Sequence, residues 1–439
     1  MPGFLQQFIT PIVKVSKGKR SMTYFTLHEY EKWLESTGNN GKGWTIKYYK
    51  GLGTSTSQEA KEYFSHLDLH EVTFQALSRD VDFHEEEFVD DKGRPVATTG
   101  SDLIDLIFRK ARVEDRKLWL NKMPKDRFMD YIQASRRGGV LYSEFVNNEY
   151  IHFSHYDNAR SIPHLMDGFK PSQRKVLYAC LKRNLKSEIK VAQLTGYVAE
   201  HSAYHHGEAS LQLTIVGMAQ NFCGSNNINL LTPSGQFGTR RMGGKDAASA
   251  RYIFTKLEPI ARTIFHPDDD DLLNYLKDDG STIEPEFYVP VIPMVLVNGA
   301  EGIGTGWSTF VNNYSPRDVI ENIRRKLQGH DVVPMKPFYA GFTGDVSTET
   351  EMEVLHKCFP NIYALKSQII EIEGNEKSYR SFGKIERVDE TTLLITELPL
   401  KKWTQEYKQF LDGMMVTDGK QVAEIKDFKE NHTETTVSL

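Results

Sequence analysis

The chain is poor in the residues that would cross-link it or anchor it. Its 439 residues include only three cysteines, Cys180, Cys223 and Cys358. They are odd in number, far apart and without Cys-x-x-Cys spacing, which excludes a disulfide framework and a cysteine zinc site and predicts reduced core thiols. No run of about 18 apolar residues is present to cross a bilayer. The opening Met1-Pro2-Gly3-Phe4-Leu5-Gln6-Gln7-Phe8 lacks the charged-then-apolar layout of a secretory signal. These absences predict an intracellular protein without a membrane partner. With 39% apolar and 26% charged residues the composition is that of a globular protein, and the length allows about two to four domains.

An excess of positive charge is also missing, since the formal net charge is −5. Taken alone, that value argues against a polyanionic partner. Its distribution reverses the inference: residues 160–260 hold thirteen Lys/Arg against six Asp/Glu, about +7, leaving about −12 for the remainder. A basic segment sits inside an acidic chain, and local charge governs attraction to nucleic acid.

Hydrophobic patterning predicts strands over 8–15, 22–26 and 44–49, alternating with helices in an α/β unit. Lys50-Gly51-Leu52-Gly53-Thr54 follows a strand, and Thr56 with Glu59 forms a capping box for a helix over 58–65. Such a junction either cradles a phosphate on backbone N–H groups or is a plain strand-to-helix turn. Residues 80–102 are acidic and rich in breakers, as in a mobile connection, and a helix over 103–123 follows. The basic segment opens with two turns and a helix over 172–186. Val176, Leu177, Cys180, Leu181 and Leu185 form its apolar stripe, and Lys175, Lys182 and Lys186 share another face. A second helix is predicted over 208–222, then short strands over 229–231 and 252–257. Two short helices followed by β-structure match a winged helix-turn-helix that lays a helix in the DNA major groove; the alternative is a solvated lysine face. A continuous strand over 289–297, a helix from Ser315-Pro316 to Gly329 and strands over 368–373, 383–388 and 391–397 complete the pattern. The abrupt end at Leu439 reads as a truncation within a strand.

The chemistry concentrates at Lys245-Asp246-Ala247-Ala248-Ser249-Ala250-Arg251-Tyr252-Ile253-Phe254. A tyrosine hydroxyl, with a pKa near ~10, attacks only when positive charge or a base stabilises its phenolate. Arg251 and Lys245 are the nearest candidates in sequence, and the alternative for Tyr252 is a half-buried strand residue. His201, His205, His206 and Glu208 have spacings open to a metal, but Gly207 breaks the helical register, and a histidine beside a phosphate fits better. Four successive carboxylates, Asp268 to Asp271, point in different directions and read as a solvated acidic turn rather than a magnesium site. The glycines between Gly299 and Gly306 lack the context of a dinucleotide loop. They leave Ile303 as the single large apolar side chain, either a wedge between DNA base pairs or a buried turn residue.

Taken together, these stretches resemble the eukaryotic type IIA DNA topoisomerase family (topoisomerase II). The resemblance rests on Phe8-Ile9-Thr10-Pro11-Ile12-Val13-Lys14-Val15, Tyr48-Tyr49-Lys50-Gly51-Leu52-Gly53-Thr54, Arg160-Ser161-Ile162-Pro163, Asp167-Gly168-Phe169-Lys170-Pro171, Tyr204-His205-His206-Gly207-Glu208, Gln236-Phe237-Gly238-Thr239-Arg240, Gly244-Lys245-Asp246, Arg251-Tyr252-Ile253-Phe254 and Asn298-Gly299-Ala300-Glu301-Gly302-Ile303-Gly304, in family order. It implies a multidomain α/β and α+β chain: the C-terminal part of a TOPRIM-like α/β unit over 1–80, an acidic linker and helical connection over 81–140, a winged-helix domain over 141–265, and an α+β tower domain over 266–439.

The resemblance further implies that Tyr252 attacks a DNA phosphodiester, giving a 5′-phosphotyrosine link for relaxing, decatenating and passing duplex DNA. Arg251 would stand beside it, while Arg160, Lys170 and His206 hold the scissile phosphate. Lys175, Lys245, Gly51 and Gln236 would contact DNA, and Ile303 would intercalate. Family members carry a glutamate and an Asp-x-Asp-x-x-Gly motif upstream of the segment resembling 8–15, together with an ATPase domain and a coiled-coil gate. The expectation is therefore the tyrosine half of an active site, with no metal ligands of its own. Magnesium carboxylates and ATP closure would come from elsewhere, in a nuclear homodimer. The alternatives are a DNA-binding fragment that does not cut and a metal phosphoesterase using the His205 cluster.

Overall fold

The computed structural model describes residues 4–38, 41–49, 51–75, 96–97, 99–124, 126–278, 281–348, 370–372, 379–415 and 425–439. Helices and strands are mixed throughout, in agreement with the α/β and α+β expectation. The chain folds as two compact units, one of Met1–Asn158 with Gly304–Trp307 and one of Ala159–Ile303 with Ser308–Leu439.

In the first unit, the expected strand over 8–15 is two strands in different sheets. Pro11 separates them, because proline donates no ladder hydrogen bond. Gln6–Phe8 pairs antiparallel with Glu71–Gln75, whereas Val13–Lys17 lies between Arg20–Tyr24 and Thr45–Tyr48. Val13 and Val15 are buried with Tyr30 of the Leu27–Ser36 helix. Thr26 and Glu29 cap that helix reciprocally, at 3.2 and 3.3 Å. The helix expected over 103–123 is two, Gly100–Phe108 and Val113–Lys122, joined by the turn Lys110–Arg112. Their buried residues Leu103, Leu106, Trp119 and Leu120 pack with Val146 and Ile151. Trp119 donates its indole N–H to Asn147 at 2.9 Å, so this core holds a large ring without an unsatisfied donor. The acidic connection falls largely outside the described residues.

In the second unit the basic segment carries three helices where two were expected: Pro171–Lys182, Val191–His201 and Glu208–Ala219. Leu177, Cys180, Leu194, Val198, Leu211, Ile215, Leu231 and Ile253 close one core between them. Cys180 is fully buried there, and burial pushes its thiol up to about 12, in keeping with a core thiol; Cys358 lies outside the described residues. Ile189–Lys190 pairs with Phe254–Thr255, and single bridges join Leu231 to Leu257 and Ser234 to Phe254. The strand expected over 289–297 is instead an irregular stretch ending in the helical turn Met294–Val297. Pro290 and Pro293 withhold two ladder donors, and Pro293 sits where a helix tolerates it.

Beyond that turn, Ala300–Ile303 and Ser308–Val311 form an antiparallel hairpin, followed by the helix Pro316–Leu327, whose N-cap Ser315 makes no side-chain bond. A three-stranded sheet carries Tyr379–Phe382 between Asp345–Thr348 and Ile370–Ile372. Lys384–Arg387 pairs with Leu393–Glu397. The helix Thr404–Met415 then packs Tyr407 and Leu411 on Ile395, Leu398, Val437 and Leu439. Among the described residues no helix is long and apolar enough to cross a membrane.

Candidate nucleic-acid interface

Tyr252 is held by its backbone and released by its side chain. The turn is clamped on both sides: Ala192 N–H donates to Ala250 at 3.0 Å, Val191 N–H to Ile253 at 3.0 Å, and Phe254 exchanges two hydrogen bonds with Ser234. Ile253 is buried at this point while the Tyr252 side chain is 70% exposed, so Tyr252 is not a half-buried strand residue. The Arg251 guanidinium lies over the Tyr252 ring, 5.6 Å from its centroid. Among the described residues the phenol makes no hydrogen bond. Lys245, expected beside the phenolate, is also exposed and faces Glu406 at 3.8 Å.

The 236–246 loop preceding this turn is shaped by glycines at positive φ. Gly238 (φ 95°) and Gly244 (φ 80°) approach so closely that a Cβ on the first would lie 2.5 Å from the Cα of the second. Asp246 accepts from Thr239 N–H at 2.8 Å, and Gln220 donates to Phe237 at 2.9 Å, tying the loop to the end of the third helix. Gln236 is exposed on it.

Lys170 precedes the Pro171–Lys182 helix, and its N–H is capped by Gln173 at 2.9 Å. The turn holding it rests on a buried ion pair. Arg174 donates to both carboxylate oxygens of Asp167, at 2.8 and 3.1 Å, and Asp167 also accepts from Phe169 and Tyr288 N–H, each at 2.9 Å. A buried charge fully hydrogen-bonded in this way fixes geometry more than it adds stability. Gly168 has φ 74° and touches Val295, where a side chain would collide.

Arg160, exposed near the end of its helix, leads into Ser161-Ile162-Pro163, against which Gly302 packs so tightly that any Cβ would overlap the Ser161 carbonyl. The wedge candidate thus stands beside the Arg160 segment. Ile303 is 76% exposed, which removes the buried-turn alternative. Pro163, Lys170, Gln220, Ala300, Glu301 and Lys401 line one hollow of about 350 Å³, placing the Lys170 turn and the base of the wedge on the same concavity.

His206 sits in the exposed loop after the Val191–His201 helix, edge-on to Tyr204 at 5.4 Å between centroids. His205 pairs with Asp278 at 3.0 Å. Among the described residues no three His, Cys, Asp or Glu side chains converge on a common point. Asp270 is engaged bidentately by Arg262, at 3.1 and 2.9 Å.

The lysine face expected on the first helix is not a uniform solvent-facing row. The Lys175 side chain is only 15% exposed, and its ammonium pairs with Glu284 at 2.8 Å and donates to the Ser202 carbonyl. Lys182 reaches back over the Tyr178 ring, and Lys186 lies beyond the helix end. Lys182 and Lys186 are exposed, as are Arg160 near the end of its helix and Lys245 and Arg251 on turns. Sequence reasoning missed the Asp167–Arg174, Lys175–Glu284 and Arg240–Glu397 pairs; in the last two the partners are remote along the chain and carry no local signal. In the first unit, Gly51–Thr54 is a single 3₁₀ turn, and Lys50 lies outside the described residues. Glu59 there gathers Lys47, Tyr49 and Thr56 and fixes the strand-to-helix junction, a role separate from any ligand.

The unit that holds an exposed tyrosine on a braced turn and an exposed isoleucine on a hairpin is also the one matched by a DNA topoisomerase family model. The chain belongs to the DNA gyrase/topoisomerase IV A-subunit family, whose model matches residues 160–439, while the C-terminal associated domain of TOPRIM matches residues 8–158. It is 48% identical to DNA topoisomerase 2 of Plasmodium falciparum over 98% of this chain and 27% of that protein. It is 47% identical to DNA topoisomerase 2-alpha of Mus musculus over 99% of this chain and 26% of that protein. The chain therefore spans about a quarter of the length of the relatives it matches. Among solved structures it is similar to the Plasmodium falciparum topoisomerase II DNA-binding, cleavage and re-ligation domain, with TM-score 0.70 and 47% identity, over 100% of this chain and 53% of that one. The resemblance to eukaryotic topoisomerase II is borne out along the whole chain.

Proposed function

We propose that this chain is the DNA-binding and cleavage core of a type IIA topoisomerase and that Tyr252 is its nucleophile. The observation that carries the reading is the exposed phenol on a backbone clamped from both flanks, with a guanidinium over its ring. In the proposed step the Tyr252 oxygen forms a bond to a DNA phosphorus as the bond to the 3′ oxygen breaks. The phenol gives up its proton, the departing 3′ oxygen takes one up, and the 5′ end stays on the protein. Re-ligation is the reverse, with no redox change. Phosphoryl transfer depends on placement and on neutralising the equatorial oxygens. Arg160, Lys170 and His206 are the groups we assign to that work, with Arg251 beside the nucleophile. Lys245 and Gln236 are assigned to the DNA backbone, Gly51 to a second DNA contact and Ile303 to the kink. Lys175, already engaged by Glu284, is assigned to positioning.

Magnesium and ATP are attributed to the complete enzyme, acting as a nuclear homodimer on double-stranded DNA. Magnesium, when bound there, supplies charge neutralisation at the phosphate. The described residues offer no converging donor set for it, which leaves a DNA-binding module that does not cut as the second reading. Detergent trapping on 5′-labelled, singly nicked DNA with magnesium separates the two readings. The chain would be compared alone and with a polypeptide carrying the metal-binding half. A Tyr252-dependent adduct in the mixture supports the nucleophile; binding without an adduct in either case supports the alternative.

A further inference from the structure

The segment 397–406 touches both the 236–246 loop that leads to Tyr252 and the wedge hairpin, yet it lies far from either in sequence. At its start, Glu397 is buried against Arg240 and also accepts from Thr343 N–H and hydroxyl, each at 3.0 Å, and from Leu398 N–H at 2.8 Å. Its end grips the same loop. The Trp403 indole fills the space where a side chain on Gly243 (φ 61°) would stand and contacts Gly224, while Gln405 N–H donates to Arg241 at 3.0 Å. Between these attachments Lys401, itself at φ 61°, turns the other way. Its ammonium pairs with Glu301 at 3.0 Å and lies 4.8 Å from the Phe310 ring centroid. Glu301 and Phe310 are directly opposite each other in the hairpin that ends in Ile303.

We infer that the 397–406 segment is a strap that fixes the wedge hairpin relative to the nucleophile loop, with Lys401 and Trp403 as positioning residues for DNA bending. The inference rests on the proposed function and adds a mechanical link to it. Inserting an apolar side chain between base pairs exerts an opposing force on the hairpin. A two-stranded hairpin alone is a weak support, and the Lys401 contacts tie it to the 397–406 segment. A bend made at Ile303 is thereby referred to the loop leading to Tyr252.

The test uses the full chain and a duplex labelled at both ends, with bending read by energy transfer at saturating protein and affinity read separately. Lys401→Met keeps the apolar stem and removes the charge; it is expected to lower the bending signal at least twofold with affinity changed less than threefold. Trp403→Phe, at the far attachment, is expected to do the same. Two rescues distinguish positioning from lost stability. The charge swap Lys401→Glu with Glu301→Lys should restore bending, and so should a duplex softened by a mismatch at the kink step when it is offered to Lys401→Met. Full bending by both single variants, or no rescue by either route, would overturn the strap while leaving the proposed function intact. A wild-type chain that binds no DNA would overturn the proposed function and the strap with it.

Discussion

The Lys175 ammonium lies 2.8 Å from the carboxylate of Glu284, a residue almost wholly buried, and also donates to the carbonyl of Ser202 just before the His205-His206 loop. The pair joins the first helix, the strand Ser281–Pro285 and the loop that presents His206. Removing one partner leaves the other charge buried and uncompensated, which costs about 3–5 kcal/mol. Lys175→Met should therefore lower unfolding stability by about that amount in urea, and adding Glu284→Leu should recover most of it. Had Lys175 been a solvent-facing DNA contact, the single change would leave stability almost untouched and weaken DNA binding.

Tyr252→Phe removes one oxygen from an exposed side chain whose backbone is held independently. DNA affinity and melting temperature are expected to stay within error of the parent while the covalent adduct disappears, because the Phe variant has no oxygen to bond the phosphorus. An adduct formed by the Phe variant would place the nucleophile elsewhere.

Gly302 and Ile303 are neighbours with opposite expected phenotypes. A methyl at Gly302 overlaps the Ser161 carbonyl and presses on Ile162, so Gly302→Ala should destabilise by about 1–3 kcal/mol. Ile303→Ala should leave melting unchanged, because the side chain is exposed, and should reduce DNA bending. Calorimetry and energy transfer on the same two proteins separate these effects.

Glu59 provides a pH signature. Burial acts to raise its carboxyl, but hydrogen bonds from Lys47, the Thr56 backbone and Tyr49 outweigh that and hold it well below the ordinary carboxylate range. A depressed folded-state value means the stabilisation is fully present above the unfolded-state value, near ~4.3, and is lost as pH falls toward the folded one. Denaturant titrations from pH 6 to pH 3 should show stability declining more steeply in the parent than in Glu59→Gln. Equal slopes would remove Glu59 from the account.

Much of the candidate site is legible in the sequence because its signals are local. Arg251 and Tyr252 are adjacent, Gly302 precedes Ile303, and the Thr56/Glu59 box spans four residues, so each can be read without the fold. The middle helix of the core, Val191–His201, is less visible, since it follows a two-residue strand with no side-chain N-cap. The stretch before Val297 misleads for a different reason: it is continuously apolar, which suits a buried strand or a buried helical turn equally, and Pro290 and Pro293 decide between them. Lys175 shows the limit of face-counting, since helical spacing places it beside Lys182 but cannot reveal an acidic partner 109 residues away. The Arg240–Glu397 pair, 157 residues apart, is hidden for the same reason.

Ile303 carries one more consequence. Most of its surface is in water in the free chain, so intercalation would dehydrate it, whereas contacts through Arg160 or Lys245 would release counterions. The two contributions respond to different variables. Raising salt weakens the ionic part steeply, and dehydration of an apolar wedge is marked instead by a negative heat-capacity change on binding. Calorimetric titrations across temperature at high salt would thus isolate the isoleucine's share of DNA association, and Ile303→Ala should shrink that heat-capacity change while leaving the salt slope as it was.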